Sequence, residues 1–311
     1  MDIRQLRNFV KIVECGSLSS AARELHIAQP ALSQQLAKLE ADAGRPLLNR
    51  SSKGVEPTET GLALYQHGSF VLRQFDHAME IARGDTQTIS GVVAVGLPAT
   101  TVASIGMALV RRVRERYPEI LLKVVEGMSG HVAQMMRLGQ LDMAVLFSGE
   151  EAADMQIVPL MTEELFLILA ENSPLIAPDR KTVNLSEISD LPLILPTRDH
   201  GLRQRIDAAI ESRGLQSRVV VQVDSLSLVM DCVQSGLGGT IKPMGAIMRE
   251  GADGRRFRHL SFQNPALKRQ NFLYSRLPDQ MSQASVAVHG EIRATVRELV
   301  AGGQWPGFAL D

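Results

Sequence analysis

Cysteine is nearly absent from this chain. Of 311 residues only Cys15 and Cys232 carry a thiol, and they lie far apart. A disulfide framework is therefore excluded, and neither thiol has a neighbouring His that would make it a nucleophile. Cys232 reads as a packing residue on a half-buried helix. Long apolar runs are also missing: no stretch approaches the roughly 18–20 residues that a membrane helix needs. The opening MDIRQLRNFV mixes acid and base, unlike a signal peptide. A cytoplasmic protein without membrane contact is expected. Charge of one sign is lacking too, with 33 Lys and Arg against 34 Asp and Glu. Even residues 1–60 hold eight basic and seven acidic side chains, a balance of +1. Composition thus neither supports nor opposes a nucleic-acid partner. The seven His (26, 67, 77, 131, 200, 259 and 289) show no metal-ligand spacing, and Ser129 has no GxSxG around it. Neither a metal, a cofactor nor an enzymatic constellation is expected.

What the chain does have is a patterned stretch at residues 17–40, SLSSAARELHIAQPALSQQLAKLE. Leu18, Ala21, Ala22 and Leu25 recur at i, i+3, i+4 and i+7, one face of a short helix that Ser17 can cap. His26, Ile27 and Ala28 break the pattern, and Pro30 suits the first turn of a second helix. There Leu32, Leu36 and Leu39 point one way, and Gln29, Ser33, Gln34, Ala37 and Lys38 the other. Two short helices around a tight turn make a helix-turn-helix, whose second helix fits a DNA major groove. Gln reads adenine edges, and Ser serves bases or phosphates. A polar, solvated face of some all-α domain has the same pattern.

The flanks favour DNA. Ile3, Leu6, Phe9, Val10 and Val13 predict a preceding helix, and PLLNR-SSKG-VEPT predicts two extended segments around a basic turn, a wing. Arg50 and Lys53 are placed to touch phosphates. On GSLSSAARELHIAQPALSQQLAKLE followed by PLLNRSSKGVEPTETG, the chain resembles the LysR-type transcriptional regulators. The motif match covers about the first 65 residues. HIAQPALSQQ and KGVEPT look most like the nitrogen assimilation control branch. One departure is Ala28, where many members carry Ser or Thr, a lost N-cap of roughly 1 kcal/mol. The resemblance implies DNA-reading residues Gln29, Pro30, Ser33, Gln34 and Lys38, with Arg50 and Lys53 as anchors.

Residues 58–83 predict a long helix, with Leu64, Gly68, Val71, Phe75, Ala78 and Ala82 spaced as a coiled-coil seam and Leu72 and Met79 beside it. Dimerisation is assigned to Leu64, Val71, Leu72, Phe75 and Met79. After the polar linker 84–90, apolar strands alternate with helices, which predicts parallel α/β structure. The whole is expected to be an α+β multi-domain protein. A winged helix-turn-helix (1–60) leads through a linker helix and linker (61–90) to a regulatory domain (91–305). That domain resembles the two-lobed periplasmic-binding-protein fold, with lobe I at 91–161 and 266–305 and lobe II at 162–265. The tail GGQWPGFALD is expected to be mobile.

Open α/β sheets bind ligands beyond the carboxyl ends of their strands. Loops at Thr100 and Thr101, at Ser129, at Arg198 and His200, and at Asp224 and Ser225 fall there and are candidate effector residues. Each alone could be an ordinary N-cap. Together they predict an anionic metabolite between the lobes, with Thr100, Thr101 and Ser129 on one side and Arg198 on the other. Expected partners are double-stranded DNA, a small-molecule effector and further copies of the chain as homodimer or homotetramer, with RNA polymerase a further candidate. Two alternatives stand beside this reading. The nitrogen-control resemblance implies a regulator governed by abundance without an effector. A different class would be a cytoplasmic solute receptor or enzyme carrying a helical N-terminal domain.

Overall fold

The computed structural model describes residues 1–51, 54–83, 89–149, 155–198, 200–263, 266–303 and 306–310. The chain divides into two compact units, residues 1–88 with 137–140, and residues 89–136 with 141–311.

In the first unit α1 (Ile3–Cys15) begins with a capping box, in which the Gln5 amide donates to Asp2 and the Asp2 amide to the Gln5 side chain. Gly16, left-handed at φ 61°, ends it, a conformation that costs glycine nothing. Ser17 caps α2 (Leu18–Glu24), and a turn with His26 at φ 54° leads into α3 (Gln29–Ala43). Ala28 sits at the N-cap of α3 with no side-chain bond, so the missing hydroxyl leaves that helix start uncapped. Phe9, Ile12, Ala21, Ala22, Leu32, Leu36 and Leu39 interlock as one core, each large side chain contributing roughly 1.5–3 kcal/mol. β1 (Leu48–Ser51) and β2 (Gly54–Pro57) pair antiparallel as the wing. The Val55 amide donates to the Gly16 carbonyl at 2.9 Å. A Cβ at Gly54 would lie 2.5 Å from that same carbonyl oxygen, so the wing docks there only with glycine.

The long helix α4 (Glu59–Arg83) does not present the whole expected seam. Leu72 is buried against Leu6 and Val10 of α1, Leu64 packs beside them, and Gly68 lies under Leu6. Val71, Phe75 and Met79 remain exposed at 43%, 40% and 39%. Leu64 and Leu72 therefore belong to the chain's own core, because α1 covers that side of α4; only the other stripe is open.

In the second unit β3 (Gly91–Leu97) runs parallel to both β4 (Ile120–Glu126) and β5 (Met143–Leu146). Between β3 and β4, α5 (Ala99–Thr101) passes through a π turn into α6 (Met107–Arg116), and α7 (Ser129–Arg137) precedes β5. β6 (Met155–Ala170) is one 16-residue strand. Two adjacent carboxylates, Glu163 and Glu164, interrupt its apolar run. The strand continues through them because Glu163 is buried and paired. Lobe II follows with β7 (Thr182–Asn184), α8 (Leu185–Ile188), β8 (Leu193–Leu195), α9 (Gly201–Glu211), β9 (Val219–Gln222), α10 (Leu226–Gln234), β10 (Thr240–Pro243), α11 (Gly245–Met248) and β11 (Phe257–Gln263). β12 (Lys268–Arg276) returns along β6, and α12 (Gln283–Gly302) covers lobe I. β6 contributes Leu160 and Met161 to the lobe I core and Leu165, Leu167 and Leu169 to that of lobe II. The tail is not loose throughout: β13 (Phe308–Ala309) pairs with β6 opposite Glu163 and Thr162. Residue 265, expected at a lobe crossing, lies outside the described residues.

Candidate functional site

Two surfaces carry the candidate functional residues. On α3, burial of Leu32, Leu36 and Leu39 turns Gln29, Pro30, Gln34 and Lys38 outward into solvent, with Ser33 half-buried beside them. Arg50 is exposed on β1 and has no ion-pair or hydrogen-bond partner among the described residues. Lys53 lies outside the described residues. Behind the surface the Glu40 carboxylate accepts from the Leu47 and Leu48 amides at 2.8 and 3.2 Å, tying α3 to the wing. Asn8 donates to Gln35 and holds α1 against α3. Burial and the nearby Glu24 carboxylate push the Cys15 thiol up, away from a reactive thiolate.

The second surface is a cleft in the regulatory unit, at the carboxyl ends of β3, β4, β5, β8 and β9. It holds two cavities, of about 270 and 640 Å³. Both share Met128, Ser129, Phe147, His200, Leu202 and Arg269, so they adjoin. The smaller is lined by Pro98, Ala99 and Thr100 on one side and by Asp224, Ser225 and Lys242 on the other. Of the seven residues expected here, Thr100, Ser129, His200, Asp224 and Ser225 do line it. Thr101 does not, since its side chain is fully buried with an unpartnered hydroxyl. Arg198 is exposed and lines neither cavity.

His200 and Ser225 also cap their helices, Nδ1 of His200 accepting from the Leu202 amide at 3.1 Å and Ser225 from the Leu228 amide. The Thr197 amide and hydroxyl donate to Asp224 at 3.0 and 3.1 Å, fixing the loop after β9. Desolvation, with the nearby Lys242 charge, pushes His200 down to about 4, so its imidazole is neutral at pH 7.

The cations in this cleft are residues the sequence reading missed. Arg269 of β12 is buried, donates to Glu163 at 2.5 and 3.1 Å and to the Thr100 hydroxyl at 3.1 Å, and lies 3.6 Å over the Phe147 ring. Asn271 donates to the same Glu163 oxygen at 2.9 Å. This network joins both lobes' strands at the crossing of β6. Lys242 of β10 is 6% exposed, lines the smaller cavity and has no hydrogen-bond or ion-pair partner among the described residues. Burial, and repulsion from Arg269, lower its ammonium to about 8. Only one cue pointed there: a Lys in the apolar segment GGTIKPMGAI, with no acid beside it.

Comparison with known proteins identifies the family and the fold. Residues 3–62 match the bacterial regulatory helix-turn-helix protein family lysR, and residues 86–297 match the LysR substrate binding domain. The nitrogen assimilation regulatory protein nac of Klebsiella aerogenes is 37% identical over 247 residues, 79% of each chain. Full-length OxyR C199D from Pseudomonas aeruginosa has the same fold, with a TM-score of 0.75 at 21% identity over 96% of this chain and 95% of that one. CbnR in complex with its target DNA superposes with a TM-score of 0.68 at 19% identity, over 95% of this chain and all of CbnR. The rival reading as a solute receptor or enzyme is set aside by these relatives, which are regulators. The chain is a transcriptional regulator and belongs to the LysR family.

Proposed function

We propose that this regulator reads promoter DNA with Gln29, Pro30, Ser33, Gln34 and Lys38 of α3, anchors on phosphates through Arg50 and Lys53, and responds to a small anionic effector held between its two lobes. The observation that carries the effector reading is the paired cavity itself: five strand ends from both lobes converge on it, and cations line it. A ligand touching both lobes binds one relative lobe arrangement better than others and shifts the population toward it. We further propose a homodimer or homotetramer built on the open stripe of α4, Val71, Phe75 and Met79. A metabolite screen by thermal shift, followed by promoter binding with each hit, tests the effector reading. A ligand at 100 times its dissociation constant adds about 2.7 kcal/mol. A hit that alters promoter affinity or footprint supports it.

One observation favours a second reading, a regulator governed by abundance. Arg269 is already neutralised by Glu163 and tied to Thr100, so this cation holds the lobes together without a ligand. A broad screen without a hit, together with promoter occupancy that follows protein concentration alone, supports that reading.

A further inference from the structure

Lys242 sets a condition on whatever enters the cleft. Every other cation facing it is either answered or exposed. Arg269 has Glu163, and Arg249 at the cavity edge is exposed to water. Asp224 and Glu126 also line the smaller cavity, but both are exposed, and Asp224 is already bonded to Thr197. His200 faces Lys242 in neutral form. Among the described residues the cavity therefore contains one buried positive charge with no counter-charge in contact, drawn only at a distance by Asp224, next to the N-terminus of α10, whose partial positive charge also favours an anion. The adjoining 640 Å³ cavity offers an apolar wall of Met128, Ala133, Leu146, Phe147, Leu202 and Ala208, with Gln204 and Arg205 at its polar side.

We infer that Lys242 is the residue that selects the ligand's head group: the cleft takes a small mono-acid, its carboxylate or equivalent oxyanion against Lys242 and the start of α10, its apolar body in the wider cavity. This rests on the effector reading above and narrows it. A single uncompensated charge matches a single negative head. A second anionic group in the smaller cavity would meet Asp224 and Glu126, and one carried into the wider cavity would find Arg269 already paired with Glu163 and Arg205 exposed to water and bonded to the Lys268 carbonyl. A neutral head would leave the ammonium buried without a counter-ion. Because the ammonium has been lowered toward neutrality, binding the anion draws it back to the charged form and takes up a proton near pH 8.

Calorimetry and thermal shift on the full-length protein test this with hexanoate and phenylacetate, their uncharged amides hexanamide and phenylacetamide, and the dianion succinate as probes. The acids should bind at least tenfold tighter than their amides and than succinate, with proton uptake in paired buffers at pH 8. Lys242→Met should cost the acids at least thirtyfold, and Lys242→Gln, a second variant in case the first misfolds, a similar factor. Ala208→Trp, at an exposed position of the wider cavity, should weaken phenylacetate. Amides equal to acids, or Lys242→Met within threefold of the parent, overturn the head-group role while leaving a cleft effector in place. Tighter binding of succinate, or of a neutral or cationic metabolite from a wider screen, overturns the ligand class in the same way. If no acid, amide or screened metabolite binds, this proposal and the effector reading fall together.

Discussion

Arg269 and Lys242 line the same small cavity, and both are almost wholly buried, yet they differ in what faces them. Arg269 is met by a carboxylate, a hydroxyl and an aromatic face. Among the described residues Lys242 meets none of these. The long helix repeats the contrast in apolar form, since Leu72 is sealed under α1 while Phe75, less than a turn away, faces solvent. In both regions the first member completes the fold, and the second is where the proposals above place a partner. Residues of the two kinds look alike in sequence; only the contacts separate them.

The strongest way to break this division is to remove the group that answers Arg269. Glu163→Gln leaves a buried guanidinium without its counter-charge, and loss of one partner of a buried pair costs about 3–5 kcal/mol. Chemical denaturation should show a fall of that order at pH 7. A fall below about 1 kcal/mol would show that Arg269 reaches water and that the network is not structural.

Lys242→Met should act in the opposite direction. An ammonium lowered from 10.5 to about 8 is more readily protonated in the unfolded chain. Below pH 8 both states carry the proton, and the folded state bears the full cost of burying it; that cost fades as pH rises from 8 towards 10.5. The variant should thus be more stable by on the order of 3 kcal/mol at pH 7, with the gain shrinking by pH 10. A destabilised variant at pH 7 would mean that Lys242 has a partner after all.

On α4, Leu72→Ala should lower stability by about 2–3 kcal/mol through a cavity under α1. Phe75→Asp should leave the monomer fold intact and lower the oligomer mass in sedimentation. Reversed outcomes would place the seam on Leu72 and the core on Phe75.

The same contrast separates what the sequence encodes locally from what it does not. The helix-turn-helix was legible because its information is local. Leu18, Ala21 and Ala22 on one helix and Leu32, Leu36 and Leu39 on the next mark the core by period alone, and the outward residues follow from them. The cleft loops were legible as a set, because strand-to-helix turns announce themselves by Ser, Thr and Asp. The cation was assigned to Arg198 because it stands beside such a turn, whereas Arg269 and Lys242 lie inside strands β12 and β10. Their arrival at the cleft depends on β6 crossing both lobes, and no local pattern encodes that. β13 was missed for the same reason: two residues signal nothing until β6 offers them an edge. Leu64 and Leu72 fit the heptad as well as Val71 and Phe75, so period alone could not tell which stripe α1 would cover.

Arg50 extends the comparison to DNA, at the smallest cost to the fold. Its side chain is exposed and without a partner among the described residues, so Arg50→Ala should leave thermal stability within about 0.5 kcal/mol of the parent. Its partner, on this reading, is a phosphate. Loss of one phosphate contact should weaken binding to a promoter fragment and to unrelated duplex alike, and flatten the salt dependence by about one unit of slope. Gln29→Ala provides the matching control, because a side chain at the start of α3 that reads a base edge should lose discrimination at particular base pairs by about 1–3 kcal/mol and keep the slope. If both variants lose affinity uniformly with the same slope change, Gln29 is contacting backbone and α3 does not enter the groove by its N-terminal turn. If Arg50→Ala binds all duplexes as the parent does, the wing stands clear of the phosphates.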